Sequence, residues 1–219
     1  IYNYRVLKSE LSQRGYHFRT GTDTEVILHG YEEWGIDGLV KRLRGMFAFA
    51  IHDQQKYARH EPFLFLVRDR LGIKPLYYTQ TGGQIAFASE VKALLAAGLI
   101  SSTVDPEAMA GFLCLGSVPA PRTWYKDAAC LPAGSYLTIS ESGTTLTKYW
   151  DLHNQETPAN QKDLSNLLAE TVQQHMVADV PIGVFLSGGV DSATLAAVAS
   201  RSVNSKLVTL TITLMVFRP

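Results

Sequence analysis

The chain has 219 residues, with 20 Lys plus Arg balanced by 20 Asp plus Glu, 46% apolar residues and 18% charged ones. This length holds one large domain or two small ones, and this apolar content builds a sizeable core and excludes a disordered chain. The balanced charge argues against nucleic acid or an anionic membrane surface as the main partner.

No apolar run reaches membrane-spanning length, and no leader peptide is visible. Cys114 and Cys130 form no Cys-x-x-Cys pair, so neither a zinc site nor a disulfide framework is indicated. That usage suits a reducing, cytoplasmic setting.

Val6, Leu7 and Leu11 carry helical spacing and predict a helix over residues 4–14, ended by Gly15. Thr22-Asp23-Thr24-Glu25 has the form of a capping box ahead of Val26, Ile27 and Leu28, and predicts a helix from Asp23 to Trp34. A short helix from Ile36 to Leu43 follows. Strand signals come at Met46–His52, Pro62–Arg68, Leu76–Thr79 and Ile85–Ala88, separated by Gly or polar turns. Arg68-Asp69, at a strand end, predicts a structural ion pair. Residues 89–97 read as a helix stopped by Gly98, and Asp105-Pro106 caps another that reaches Leu115. Residues 135–149 form a hairpin around Ser142-Gly143.

Residues 151–160 are polar and aperiodic, and read as a linker. Leu164, Leu167, Leu168, Val172, His175 and Met176 then mark an amphipathic helix. After it, Val180 to Leu186 reads as a strand, Ala193 to Arg201 as a helix, and Leu207 to Leu214 as a second strand. The part before the linker is α+β with antiparallel strands. The part after it opens a parallel α/β sheet.

Between that first strand and its helix lies Ser187-Gly188-Gly189-Val190-Asp191-Ser192. A turn in this place leaves backbone N–H groups at a helix N-terminus, where the dipole favours an anion. Two adjacent glycines remove the Cβ atoms that would hold a phosphate chain away. Ser187 and Ser192 add hydroxyl donors, and Asp191 places a carboxylate where Mg²⁺ bridges to phosphates. No Gly-Lys-Ser/Thr follows, so this is not a Walker-type P-loop. The plainer reading is a turn that only reverses the chain.

The Ser-Gly-Gly-x-Asp-Ser turn resembles the pyrophosphate loop of ATP pyrophosphatases, which transfer AMP to a substrate oxygen. Further blocks narrow the resemblance. They are Thr20 to Trp34, Gly45 to Ile51, Arg68 to Tyr78 with Ala88-Ser89-Glu90, Val118 to Thr123, and Leu131-Pro132-Ala133-Gly134. In this order they are similar to the bacterial type of glutamine-hydrolysing asparagine synthetase, over nearly the whole chain.

The resemblance implies an α+β N-terminal-nucleophile glutaminase over residues 1–150, antiparallel sheets layered with helices. A linker over 151–163 and the start of an α/β ATP-pyrophosphatase domain over 164–219 complete the expected layout. It implies that aspartate, glutamine and ATP give asparagine, glutamate, AMP and diphosphate, through an aspartyl-adenylate and channelled ammonia. Mg²⁺ is the expected cofactor, with no nucleic acid and no membrane, and a homodimer is an arrangement open to the parent protein. Asp23 matches the residue that binds the α-amino group of glutamine; without the resemblance an aspartate there reads first as a helix cap. Ser187, Gly188, Gly189, Asp191 and Ser192 match the pyrophosphate loop, Asp191 the metal ligand, and Phe185 and Ile212 the adenine pocket. Thr213 and the segment Met215 to Pro219 depart from the family pattern.

No glutaminase nucleophile is assigned in this chain. The family uses the thiol of a first-residue cysteine, whereas Ile1 begins here and Cys114 and Cys130 are internal. The expectation is a fragment cut at both ends and inactive alone. Related amidotransferases act on other carboxylates, in envelope sugars or secondary metabolites. That substrate class and a non-catalytic truncated product remain as alternatives.

Overall fold

The computed structural model describes residues 1–59, 61–152, 161–202 and 207–212. It divides into two compact units. The first holds Ile1 and Asn3–Gln155, and the second begins at Glu156.

The first unit starts with α1 (Tyr4–Gln13), whose Leu7 and Leu11 are buried four residues apart on one face. Val6, expected on that face, is exposed, because consecutive helical residues point about 100° apart. Helix α2 (Asp23–Arg42) is one run broken at Gly35, where φ is 65° and ψ is −178°. The two helices expected here therefore meet at a single residue.

The strands are β1 (Ala48–His52), β2 (Leu64–Arg68), β3 (Tyr77–Thr81), β4 (Gln84–Ala88), β5 (Ala129–Cys130), β6 (Ser135–Ser140) and β7 (Gly143–Lys148). They build two antiparallel sheets, in orders β1-β2-β6-β7 and β4-β3-β5. Two elements escape the sequence reading. The single turn α3 (Gln54–Tyr57) is capped by Asp53, which accepts from Gln55 and Lys56 N–H. Strand β5 is only two residues long, too short to show alternation.

Strand alternation sorts side chains into layers. Phe65 and Val67 on β2 and Tyr136 on β6 join Leu7, Leu11, Val26, Leu39, Val40 and Leu43 beneath the α1/α2 helices. Their neighbours Leu66, Leu137 and Ile139 face the other way and meet Leu76, Leu131, Tyr78 and Ile85 between the sheets. Tyr77, Ala86 and Ala88 leave the second sheet on its far side and pack on Leu94 of α4 (Val91–Ala96). The order is helix, sheet, sheet, helix. Strand β2 is buried on both faces, which explains its unbroken run Leu64-Phe65-Leu66-Val67. Each fully buried leucine, such as Leu11, Leu39 or Leu66, contributes about 1.5–3 kcal/mol of transfer free energy. Helix α5 (Pro106–Leu115) follows the expected capping: Asp105 accepts from Glu107 N–H at 2.9 Å, and Gly116 closes the helix with φ 72°.

The second unit contains α6 (Gln161–His175), β8 (Gly183–Phe185), α7 (Val190–Ser202) and β9 (Val208–Leu210). β8 and β9 pair in parallel, Gly183 with Val208 through Phe185 with Leu210. A parallel pair needs a crossover, and α7 supplies it. Helix α6 starts three residues before the first leucine of the expected stripe. Val172 is buried, but Leu164 and Leu167 lie exposed. The linker expected over 151–163 falls largely on residues 153–160, and the end of the second predicted strand on 213–214. Both lie outside the described residues.

Candidate functional site

The first site is built at the start of α2. Thr22 is the N-cap, and its side chain makes no capping bond; Asp23 is the first helical residue. The capping-box reading needs correction here. Glu25, three residues after the cap, turns back past Thr22 and accepts from the N–H groups of Arg19 and Thr20, both at 2.7 Å, and from the Thr20 hydroxyl at 2.6 Å. The Arg19 bond, then the Thr20 hydroxyl, hold the Glu25 carboxyl down to about 2. Glu25 thus fastens the 19–22 turn, and Asp23 is left without a capping duty. Its Oδ2 accepts from the Ile1 nitrogen at 2.7 Å, and its side chain is 45% exposed.

Asp23 opens on a cleft of about 500 Å³. One wall is α2, with Thr24 and Ile27; another is the entry to β1, Met46 to Phe49; the third is Lys74-Pro75, with Ser89 beyond. Lys74 is exposed and forms no ion pair among the described residues. A carboxylate, an ammonium and a hydroxyl in one cleft suit a zwitterionic ligand. Lys74 and Ser89 were visible in the sequence only as parts of longer blocks. Nothing in their own spacing set them beside Asp23.

The ion pair expected between Arg68 and Asp69 does not form. Adjacent residues at a strand end point to opposite sides, and each finds other partners. The Arg68 guanidinium donates to the carbonyls of Gly72 (2.7 Å), Lys74 (2.9 Å) and Leu131 (2.6 Å), and to Cys130 Sγ (2.9 Å). Burial pushes the Cys130 thiol up, against the lowering influence of Arg68. Cys114 lies exposed on α5. Neither cysteine lines the Asp23 cleft.

The second site is the turn from β8 into α7. Gly188 has φ 82°, a left-handed conformation that glycine adopts without strain. A Cβ built on Gly188 meets nothing within 4 Å, and one on Gly189 meets only Ser187 Oγ at 3.6 Å. The space over both glycines is therefore open to a ligand. The Ser192 hydroxyl accepts from Ser187 N–H at 3.2 Å, lies 3.1 Å from Ser187 Oγ, and donates to the Gly189 carbonyl at 3.1 Å. These bonds brace the turn from inside. Ser187, Gly188, Gly189 and Asp191 are exposed around it. Phe185, the last residue of β8, and Ile212, two residues past β9, are 75% and 87% exposed. The five loop residues thus come together; of the two expected adenine contacts, Phe185 lies on β8 and Ile212 past the end of β9. Among the described residues no group of three His, Cys, Asp or Glu side chains gathers as a metal site.

The profile of the glutamine amidotransferase domain family matches residues 1–150, and that of the asparagine synthase family matches residues 163–216. Asparagine synthetase [glutamine-hydrolyzing] 3 of Bacillus subtilis (strain 168) is 37% identical over 208 residues, 91% of this chain and 32% of that protein. Asparagine synthetase B [glutamine-hydrolyzing] of Escherichia coli (strain K12) is 36% identical over 207 residues, 92% of this chain and 31% of that protein. The chain thus spans about a third of the length of these curated relatives. Among solved structures, the glutamine phosphoribosylpyrophosphate amidotransferase of B. subtilis, complexed with ADP and GMP, aligns with a TM-score of 0.45 at 16% identity, over 96% of this chain and 43% of that one.

Proposed function

The chain belongs to the glutamine amidotransferase domain family through residues 1–150, and on that premise we propose that it carries the glutamine site and the diphosphate loop of an asparagine-forming ligase. The observation that carries the reading is Asp23: a carboxylate in the first turn of α2, free of capping, on a cleft that also holds Lys74 and Ser89. Asp23 takes the α-ammonium of glutamine. The cleft then fixes the amide at one end of the ligand, so that its hydrolysis by water to glutamate and ammonia takes place at one position.

In the second unit, the side-chain carboxylate of aspartate attacks the α-phosphorus of ATP, and the bond to the departing diphosphate breaks. Ammonia then displaces AMP and the amide forms. A bare carboxylate is a poor acyl donor, and adenylation supplies its leaving group. Ser187, Gly188, Gly189 and Ser192 hold the leaving diphosphate through backbone N–H groups and hydroxyls. The open space over the two glycines fits a phosphate chain. Asp191, exposed at the start of α7, would hold Mg²⁺ together with phosphate oxygens, and the ion would neutralise charge on the leaving group. Phe185 and Ile212 would line the adenine pocket.

The test follows aspartate- and glutamine-dependent formation of asparagine and diphosphate in the protein expressed from its whole gene. Asp23→Asn is expected to remove glutamine-dependent synthesis and leave synthesis from ammonia; Asp191→Asn is expected to remove both. Diphosphate release that does not depend on aspartate sinks the choice of acceptor. Residues 1–219 alone are expected to hydrolyse no glutamine, since neither Cys114 nor Cys130 reaches the cleft.

A further inference from the structure

Two walls of the Asp23 cleft come from segments far apart in sequence: Phe47, before β1, and Lys74, after β2. One buried side chain ties them together. Asp69 is 1% exposed. Its Oδ2 accepts from the N–H groups of Phe47 at 3.2 Å and Lys74 at 2.9 Å. Its Oδ1 accepts from Leu71 at 3.2 Å and Ile73 at 2.9 Å. The main chain repeats the link, for Asp69 N–H donates to the Phe47 carbonyl at 2.9 Å. Four donors converge on one carboxylate, which meets the full accepting capacity of both oxygens. Asparagine would turn an NH₂ toward two of those donors and leave them buried and unpaired.

We propose that Asp69 is a positioning residue for the Asp23 cleft. By holding Phe47 and Lys74 on the same carboxylate oxygen, it sets the spacing of the two walls between which an amino acid binds. The inference rests on the reading of this cleft as the glutamine site. Asp69 itself is covered and touches no ligand.

The experiment titrates glutamine into the protein expressed from its whole gene and follows the backbone amides of the first unit by NMR, for the unmodified chain, Asp69→Asn and Asp23→Asn, with a thermal melt for each. The expected result is a cooperative melt for Asp69→Asn, joint movement of the Phe47 and Lys74 amide signals, and glutamine affinity at least tenfold weaker. Asp69→Asn binding within twofold of the unmodified chain, while Asp23→Asn loses binding, overturns the positioning role and leaves the cleft reading intact. Equal glutamine response in Asp23→Asn and the unmodified chain, or none in either, overturns the cleft reading and this inference with it. If Asp69→Asn does not fold, amide exchange in the unmodified chain decides. Glutamine slowing the Phe47 and Lys74 amides together supports the link, and slowing of one wall alone overturns it.

Discussion

Arg68 and Asp69 are adjacent and oppositely charged, yet they bind opposite polarities of one loop and not each other. Asp69 gathers N–H groups from Leu71, Ile73 and Lys74, while Arg68 gathers carbonyls from Gly72 and Lys74. The loop after β2 is thus held by both of its hydrogen-bonding faces, and Lys74 is delivered to the cleft.

Arg68→Lys tests the planar fork. An ammonium cannot reach three carbonyls in the guanidinium's geometry. Losing charge-assisted bonds to partly buried carbonyls is expected to cost about 2–3 kcal/mol, read from a urea melt. A cost below about 0.5 kcal/mol, the range of an ordinary surface change, would show that the charge alone suffices.

Glu25 sets a pH dependence. Its carboxyl sits at about 2 in the folded chain, held by Arg19 N–H first and the Thr20 hydroxyl next; the unfolded value is about 4.3. Its contribution is complete above that unfolded value and is lost as pH falls through the folded one. The Arg19 and Thr20 amide signals are therefore expected to hold still from neutral pH to about 5 and to move only below 4. A midpoint near the unfolded value would mean that the turn is not fastened in solution.

Gly134→Ala is expected to be costly. Gly134 has φ 62°, and a Cβ there would stand 2.6 Å from the Trp150 carbonyl oxygen. Its carbonyl also accepts from Tyr149 and Trp150 N–H. Left-handed strain and a backbone clash together predict a loss of about 2 kcal/mol or more, seen as a lowered melting temperature.

Leu39→Ala and Leu164→Ala separate core from surface. Leu39 is fully buried and Leu164 is 64% exposed. The first is expected to cost about 2–5 kcal/mol and the second to stay within about 0.5 kcal/mol. Equal costs would mean that α6 is covered in solution.

Ser192→Ala removes the hydroxyl that braces Ser187 and Gly189. Losing one such bond costs about 1–1.5 kcal/mol, so diphosphate binding measured by calorimetry is expected to weaken about tenfold. Unchanged affinity would assign the bracing to the backbone alone.

Most elements were legible because their signals are local. The Asp105-Pro106 cap, the 135–149 hairpin and the Gly35 break each depend on residues within a few positions of one another. The β8–loop–α7 turn was legible for the same reason, and its six-residue pattern brought the loop residues together in space. Of the two missed elements, α3 is a single turn, too short to show a period, whereas β5 exists only because Tyr77 and Tyr78 offer it a partner some fifty positions away in sequence.

Sequence by itself determined the helices other than α3, the strand alternation that sorts side chains into layers, the glycines at tight turns and the blocks that identify the family. All of these follow from period, cap and turn chemistry along a short stretch of chain. Only the tertiary structure decided which charges pair. It turned Arg68 to the carbonyls and Asp69 to the N–H groups of one loop, turned Glu25 back onto Arg19 and Thr20, and brought Asp23, Phe47 and Lys74 to one cleft. The reason is directional. A side chain's partner is set by where its strand or helix points it, and neighbours in sequence point apart.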